Sequence, residues 1–325
     1  MIAWRLLTVT ARRPLTVTAW QRKTRLRTLA AGLLALGAAG VLAGCGGTSS
    51  ASTSGIRVVA AENFWGSIAG QIAGTKDSVE SIITNPAQDP HSYEPTAGDA
   101  RTLATSELAI VNGVGYDPWA PKLLAANPNP KRIVLTVGGL FGLHDGDNPH
   151  RWYSPADVDS VAHQITADLS KLDPKDAQYY SRRLATFETT DLKTYHQLIA
   201  QIKARYANVP VGASESIFAL LAPALGLNLV TPYSFMKAIS EGTEVSAQDT
   251  ITTQEQIASH QIKVWIYNSQ NATPEIQRLN AMARANHIPI ATITETLAPA
   301  SASFEQWQVA QLEQIERALH EATGR

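Results

Sequence analysis

The stretch "DPKDAQYYSRRLATFETTDLKTYHQLIAQIKARY", residues 173–206, decides how the rest of the chain is organised. It opens on Asp-Pro, a helix-start pair, and then runs to Tyr206 without another Pro or any Gly. At 3.6 residues per turn that is about nine turns of helix. Such a length exceeds the usual range for globular helices and predicts a spine that joins two lobes.

Working outward from the spine, short β-rich apolar runs alternate with helical patterns on both sides. Before it, "IRVVAA" (56–61), "VESIIT" (79–84), "LAIVNG" (108–113) and "KRIVLTVG" (131–138) read as strands. Between them lie the helical stretches "FWGSIAGQIAG", closed by Gly74, "TAGDARTLATSE", capped by Thr96, and "DPWAPKLLAAN". "SPADVDSVAHQITADLSKL" (154–172) then gives a helix with Ser154 as cap and Pro in the first turn. After the spine, "VPVGAS" (209–214), "LNLVTPY" (227–233), "KVWIYN" (263–268) and "IPIATIT" (288–294) read as strands. "ESIFALLAPALG", "TTQEQIASHQ", "TPEIQRLNAMARANH" and a final amphipathic stretch from Ser303 read as helices. Strands alternating with helices predict parallel sheets. The expected fold is therefore α/β: two lobes, each a mainly parallel four-stranded sheet flanked by helices, joined by one long helix. The boundaries are 56–172 for the first lobe, 173–207 for the connecting helix and 208–325 for the second lobe.

The first 44 residues have another character. They hold seven basic residues and no acidic one, and an Ala/Leu/Gly-rich run from Thr28 ends at Cys45. A basic region, a short apolar core and small residues at its end form an export signal. The run is too short and too Gly-rich for a permanent span of about 20 apolar residues. Cys45 is the only cysteine in the chain, so it has no intramolecular disulfide partner. "GGTSSASTSG" after it has the composition of a flexible tether, assigned to 45–55. Without the first 44 residues, 20 basic residues face 28 acidic ones, a net charge of −8. That surface argues against nucleic acid, which calls for clustered Lys and Arg, and is compatible with attracting cations.

Four residues stand out as possible metal ligands. "DPHSYEPT" (89–96) and "NPHRWYSP" (148–155) place His91 and His150 directly after Pro, in loops that follow predicted parallel strands. Proline fixes its own φ and restricts the residue before it, so both histidines sit in stiff frames. Open α/β sheets bind ligands at the carboxyl ends of their strands. In the second lobe, Glu215 follows "VPVGAS" and Glu295 follows "IPIATIT", at equivalent sheet edges. Ser214 and Glu215 also suit the plain roles of helix cap and first-turn charge. Taken together, two neutral imidazoles and two carboxylates suit a borderline divalent ion such as Zn²⁺, Mn²⁺ or Fe²⁺. The carboxylates also offset the cost of burying a dication. Asn63 beside Glu62 is a possible cleft residue or a helix cap. Trp65, Tyr93, Trp119 and Trp152 are expected around the site or in the ordinary core. His144, Asp145 and Asp147 form a polar turn with weak ligand character.

The phrases "DPHSYEPT", "NGVGYDPW" and "NPHRWYSP", together with the long mid-chain helix, resemble the metal-specific solute-binding proteins of ABC importers, the zinc/manganese cluster. The similarity runs from Ile56 to the C-terminus, and Leu42-Ala43-Gly44-Cys45 resembles a bacterial lipobox. The resemblance implies that His91 and His150 are ligands, that Glu215 is the third, and that an acidic residue after the last strand is the fourth. This chain departs from the usual Asp-Pro phrase there and reads "ITETL"; Glu295 takes the place, with Thr294 one residue away. It also implies lipidation and membrane anchoring at Cys45 outside the cell membrane, a permease of the same importer as partner, and a monomer. Zn²⁺ or Mn²⁺ would be cargo rather than cofactor.

Two other classes compete. "GASES" (212–216) lacks the last Gly of a nucleophile elbow, and no HExxH is present, so neither hydrolase nor metallohydrolase chemistry has a motif. No P-loop occurs either. A binding protein for a small organic ligand or a metal chelate would share the two-lobed plan, and the metal reading differs from it only through the four ligand-type residues.

Overall fold

The computed structural model describes residues 55–325. The leader (1–44), Cys45 and all but the last residue of the tether lie outside the described residues. Among those described, no helix is long and apolar enough to cross a membrane.

Among the described residues, eight strands form two sheets of four. The first contains β1 (Arg57–Glu62), β2 (Ser78–Ile83), β3 (Leu108–Val111) and β4 (Ile133–Thr136), in the order β2-β1-β3-β4. The second contains β5 (Pro210–Ala213), β6 (Asn228–Leu229), β7 (Val264–Asn268) and β8 (Ile290–Ile293), in the order β6-β5-β7-β8. Every pairing is parallel, so the expected two-lobed α/β plan holds and no antiparallel edge is present in either sheet. The two strand orders are the same pattern used twice. In each the order reverses between the first and third strands, and such a reversal opens a crevice at the strands' carboxyl ends.

Strand β1 shows why these segments need no polar face. Val58 and Ala60 point into the main core, while Val59 and Ala61 pack into two smaller clusters on the other side of the sheet. A parallel strand covered on both faces is apolar at successive positions, not alternate ones. The main core runs without a break through both lobes, from Ile56 to Leu319.

Three local readings change. The spine is helical but not uniform: a 3₁₀ turn at Pro174–Asp176 leads into Ala177–Thr186, a π-helical turn at Phe187–Asp191, and then Lys193–Tyr206. The Leu192 N–H donates to the Phe187 carbonyl at 2.8 Å, an i→i+5 bond. The extra residue in that turn lets Phe187, Leu192 and Tyr195 all face the core. Second, "ESIFALLAPALG" forms only a 3₁₀ helix, Ser216–Leu220, followed by turns. Pro223 supplies no N–H and would crowd the carbonyl one turn earlier, which stops an α-helix there. Third, "LNLVTPY" pairs over just two residues, and Pro232 starts an unforeseen helix, Tyr233–Ser240.

The lobes are stitched along one side. The Asn63 side chain accepts from the Leu297 N–H, Ser67 accepts from the Phe304 N–H, and Tyr153 donates to the Thr294 carbonyl. On the cleft side the ties are fewer: Asn148 Nδ2 donates to the Ser216 carbonyl at 2.7 Å and Lys237 Nζ to the Gly146 carbonyl at 2.7 Å.

Candidate metal centre

His91 lies in a 3₁₀ turn, Pro90–Ser92, between β2 and the next helix. Asp89 builds this turn by accepting from the His91 N–H at 2.9 Å and from the Ser92 hydroxyl at 2.9 Å. Tyr93 does not face the cleft. Its hydroxyl donates to Asp99, and its ring packs edge-on against Trp119, so it holds the far side of the loop. Thr96 and Asp99 complete a capping box that starts the following helix.

His150 is fully buried beyond β4. Its Nδ1 lies 2.8 Å from Asn148 Oδ1, which also accepts the His150 N–H. An amide oxygen can only accept, so Nδ1 carries the proton and Nε2 presents its lone pair. Burial holds the His150 pKa below its ordinary value, which keeps the ring neutral at physiological pH. The surroundings are aromatic: Trp152 stacks on Phe64 at 3.9 Å, and the Tyr116 ring meets His91, His150 and Trp152 at 4.7, 5.9 and 4.9 Å.

Glu295 follows β8. Gln270 Oε1 accepts the N–H groups of both Glu295 and Thr296, at 2.7 and 2.9 Å. Thr294, the neighbour one residue away, is turned elsewhere: its hydroxyl accepts from Trp307 Nε1 and its N–H is bound by Gln311. Glu295 Oε1 stands 3.4 Å from His150 Nε2 and 3.8 Å from His91 Nε2. Burial alone would raise its carboxyl pKa, but the closeness of the His150 and His91 imidazoles, either of which favours a carboxylate whenever it takes up a proton, outweighs this and holds it below the ordinary value.

Among the described residues, the group of three or more metal-type donors that converges within 4.8 Å is His91, His150 and Glu295. The buried Nε2 atoms of both imidazoles lack hydrogen-bond partners. A tetrahedral ion with bonds of about 2.0–2.2 Å separates its donor atoms by roughly 3.3–3.6 Å, close to the spacing found here. Beside the donors, a cavity of about 180 Å³ opens between Asp89, Ser240, Glu241 and Gln270.

Glu215 stands outside that triplet but next to it. It is buried between β5 and the 3₁₀ helix, and Asn268 Nδ2 donates to its Oε2 at 3.2 Å and to Glu295 Oε2 at 3.4 Å. Burial and then the charge of Glu295 push the Glu215 carboxyl well above its ordinary pKa, against the opposing amides of Asn268 and Asn271. Ser214 does not cap a helix; its hydroxyl accepts the Asn268 N–H. Asn63 serves the seam between lobes, and Glu62 beside it is fully buried with neither carboxylate oxygen bonded. His144, Asp145 and Asp147 do not join a converging donor group; Asp147 accepts the His144 N–H and shapes the turn.

Sequence reading missed the residues that hold the donors. Asn112 and Asp117 lie in "NGVGYDPW": Asp117 accepts the N–H groups of Asn112 and Gly113, and Asn112 Nδ2 donates to the Pro149 carbonyl. Burial pushes the Asp117 carboxyl up to about 6. Asn148, Asn268 and Gln270 do the same work elsewhere. The available signal was an amide directly after an apolar strand, as in "LAIVN" and "VWIYN".

A family model described as ZnuA, zinc-uptake complex component A, periplasmic, matches residues 58–318. The chain is 27% identical over 274 residues to the manganese ABC transporter substrate-binding lipoprotein PsaA of Streptococcus pneumoniae, which covers 77% of this chain and 83% of that protein. It is 24% identical over 212 residues to the manganese-binding lipoprotein MntA of Halalkalibacterium halodurans, covering 62% and 69%. In three dimensions it is similar to the cadmium-bound periplasmic metal binding protein of Candidatus Liberibacter asiaticus, with a TM-score of 0.69, 19% identity, and coverage of 81% of this chain and 99% of that one. At that identity the likeness establishes the fold.

Proposed function

Because this chain belongs to the family of periplasmic zinc-uptake component A proteins, we propose that it captures a divalent transition-metal ion between its lobes and delivers it to an ABC permease. The relatives are solute-binding proteins of ABC importers and not enzymes, and this chain is likewise a carrier. The observation that supports the metal reading most is the meeting of His91 Nε2, His150 Nε2 and Glu295 Oε1 from opposite lobes, with both imidazole nitrogens buried and free of hydrogen bonds. Buried polar atoms without partners are costly, so a site that leaves two in place has a use for them. Glu215 is the fourth donor in this reading. Its Oε1 is buried without a partner and its other oxygen is tied through Asn268 to Glu295.

A set of two nitrogens and two oxygens takes either Zn²⁺ or Mn²⁺, and Zn²⁺ binds more tightly at most such sites. Cys45 carries the lipid anchor that holds the protein at the outer face of the membrane; the lipobox-like LAGC and the lipoprotein names of the relatives support this. The two lobes of one chain can supply all four donors, so the reading needs no second copy of the protein. Titration calorimetry of the demetallated protein with Zn²⁺ and Mn²⁺ tests the reading. We expect one ion per chain, and a loss in His91→Ala or His150→Ala well beyond the roughly 10–100-fold that removal of an outer-sphere partner causes. Heat with neither ion would return the assignment to an organic ligand or chelate.

A further inference from the structure

Asn268 is placed unlike any other residue at the centre. It ends β7, at the crevice where the strand order of the second sheet reverses, and it is fully buried. Its backbone N–H donates to Ser214 Oγ at 3.1 Å, and its side-chain Oδ1 accepts the Gln270 N–H at 2.9 Å. With Oδ1 committed to a donor, Nδ2 must face the acidic side chains, and it donates to Glu215 Oε2 at 3.2 Å and to Glu295 Oε2 at 3.4 Å. One amide therefore holds one oxygen of each carboxylate. The remaining oxygens are those suited to an ion. Glu295 Oε1 faces the imidazoles, and Glu215 Oε1 is buried without a hydrogen-bond partner.

Resting on the metal reading above, we infer that Asn268 sets how many oxygens this site offers, and through that count its preference among ions. With both Oε2 atoms engaged, each carboxylate binds through a single oxygen. Together with two imidazole nitrogens this gives four donors, the tetrahedral set that suits Zn²⁺. With the amide removed, either carboxylate is free to turn and bind through both oxygens. The set then grows toward six, with four of the donors oxygen, which suits Mn²⁺. Asn268 touches no ion in this scheme. It is a positioning residue, and its effect falls on the ratio of affinities more than on affinity itself.

The test compares wild-type protein with Asn268→Ala, measuring Zn²⁺ and Mn²⁺ affinities by competition calorimetry and the number of bound light atoms by X-ray absorption at the metal edge. In the wild type we expect four donors around Zn²⁺. In the variant we expect the Zn²⁺-to-Mn²⁺ affinity ratio to fall by about tenfold, the lower end of outer-sphere effects, with more oxygen donors around Mn²⁺. A residue that merely supports the fold would weaken both ions alike, so an unchanged ratio with an unchanged donor count would overturn the inference. Six donors around Zn²⁺ in the wild type would overturn it without any variant. Asn268→Ser retains a short side chain with one O–H, which can serve only one of the carboxylates. It should move the ratio the same way by less, and it carries the test if the alanine variant does not fold. Wild-type protein that binds neither ion would instead sink the metal reading itself.

Discussion

Asn112 and Asn268 occupy the same topological position in the two lobes, at the carboxyl end of the third strand, and both are fully buried. Their amides do different work. Asn112 accepts from Trp65 Nε1 and donates to the Pro149 carbonyl, so it braces the backbone that carries His150 and never reaches a donor. Asn268 donates to both acidic side chains directly. The difference follows from what each lobe contributes. A neutral imidazole tolerates a dry aromatic wall and needs only its loop fixed and one ring nitrogen occupied. A buried carboxylate needs polar company at once, because desolvation otherwise drives it to its neutral form. The first lobe therefore frames its imidazoles mainly with rings, with Asn148 holding one ring nitrogen, and the second frames its carboxylates with amides.

This contrast can be sharpened by experiment. Among the amides that frame the centre, the largest expected effect is from Asn148→Ala, which removes the acceptor that fixes the His150 tautomer and the tie to Ser216. Affinity should fall roughly 10–100-fold for Zn²⁺ and Mn²⁺ alike, because an imidazole offers one nitrogen to either ion. Calorimetry with both ions checks this, and a changed ratio would erase the distinction from Asn268. Next, Asn112→Ala leaves the buried Trp65 N–H unpaired and should cost about 1–3 kcal/mol in urea-unfolding stability, with the ion ratio unmoved.

The smallest effect is in protons. Glu215 is raised well above its ordinary pKa, so without an ion it keeps its proton to higher pH than an ordinary carboxyl, and an ion that binds it must displace any proton held there. Affinity should therefore climb with pH until the raised Glu215 value is passed. His150 is shifted the other way and is already neutral at physiological pH, so it releases nothing. Calorimetry in buffers of different ionisation enthalpy should show up to one proton released per ion, and Glu215→Gln should abolish that release. Release that persists in this variant would place the proton on the first lobe instead.

Much of this site was legible in the residues. His91 and His150 sit in Pro-framed loops, and such frames depend only on neighbours in sequence. Glu295 was readable as a charge past an apolar strand, while the choice between it and Thr294 was not. That choice is made by Trp307 and Gln311, in the first half of the final helix, which bind Thr294 and turn its neighbour toward the cleft. Glu215 was placed at the right edge, but its distance from the triplet and its tether to Asn268 come from packing between β5 and β7. The collapse of "ESIFALLAPALG" into a 3₁₀ turn was signalled by Pro223 and outvoted by the apolar spacing around it.

The order of the strands, and with it the paired-lobe architecture, was determined by sequence alone, because hydrophobic period and Gly/Pro punctuation are local properties. The residue types able to grip a cation were equally plain. Only the tertiary structure decided which donor atoms meet and which amide oxygens and N–H groups aim them. Those contacts join residues as far apart as Asn63 and Leu297, and no local pattern encodes a distance across two lobes.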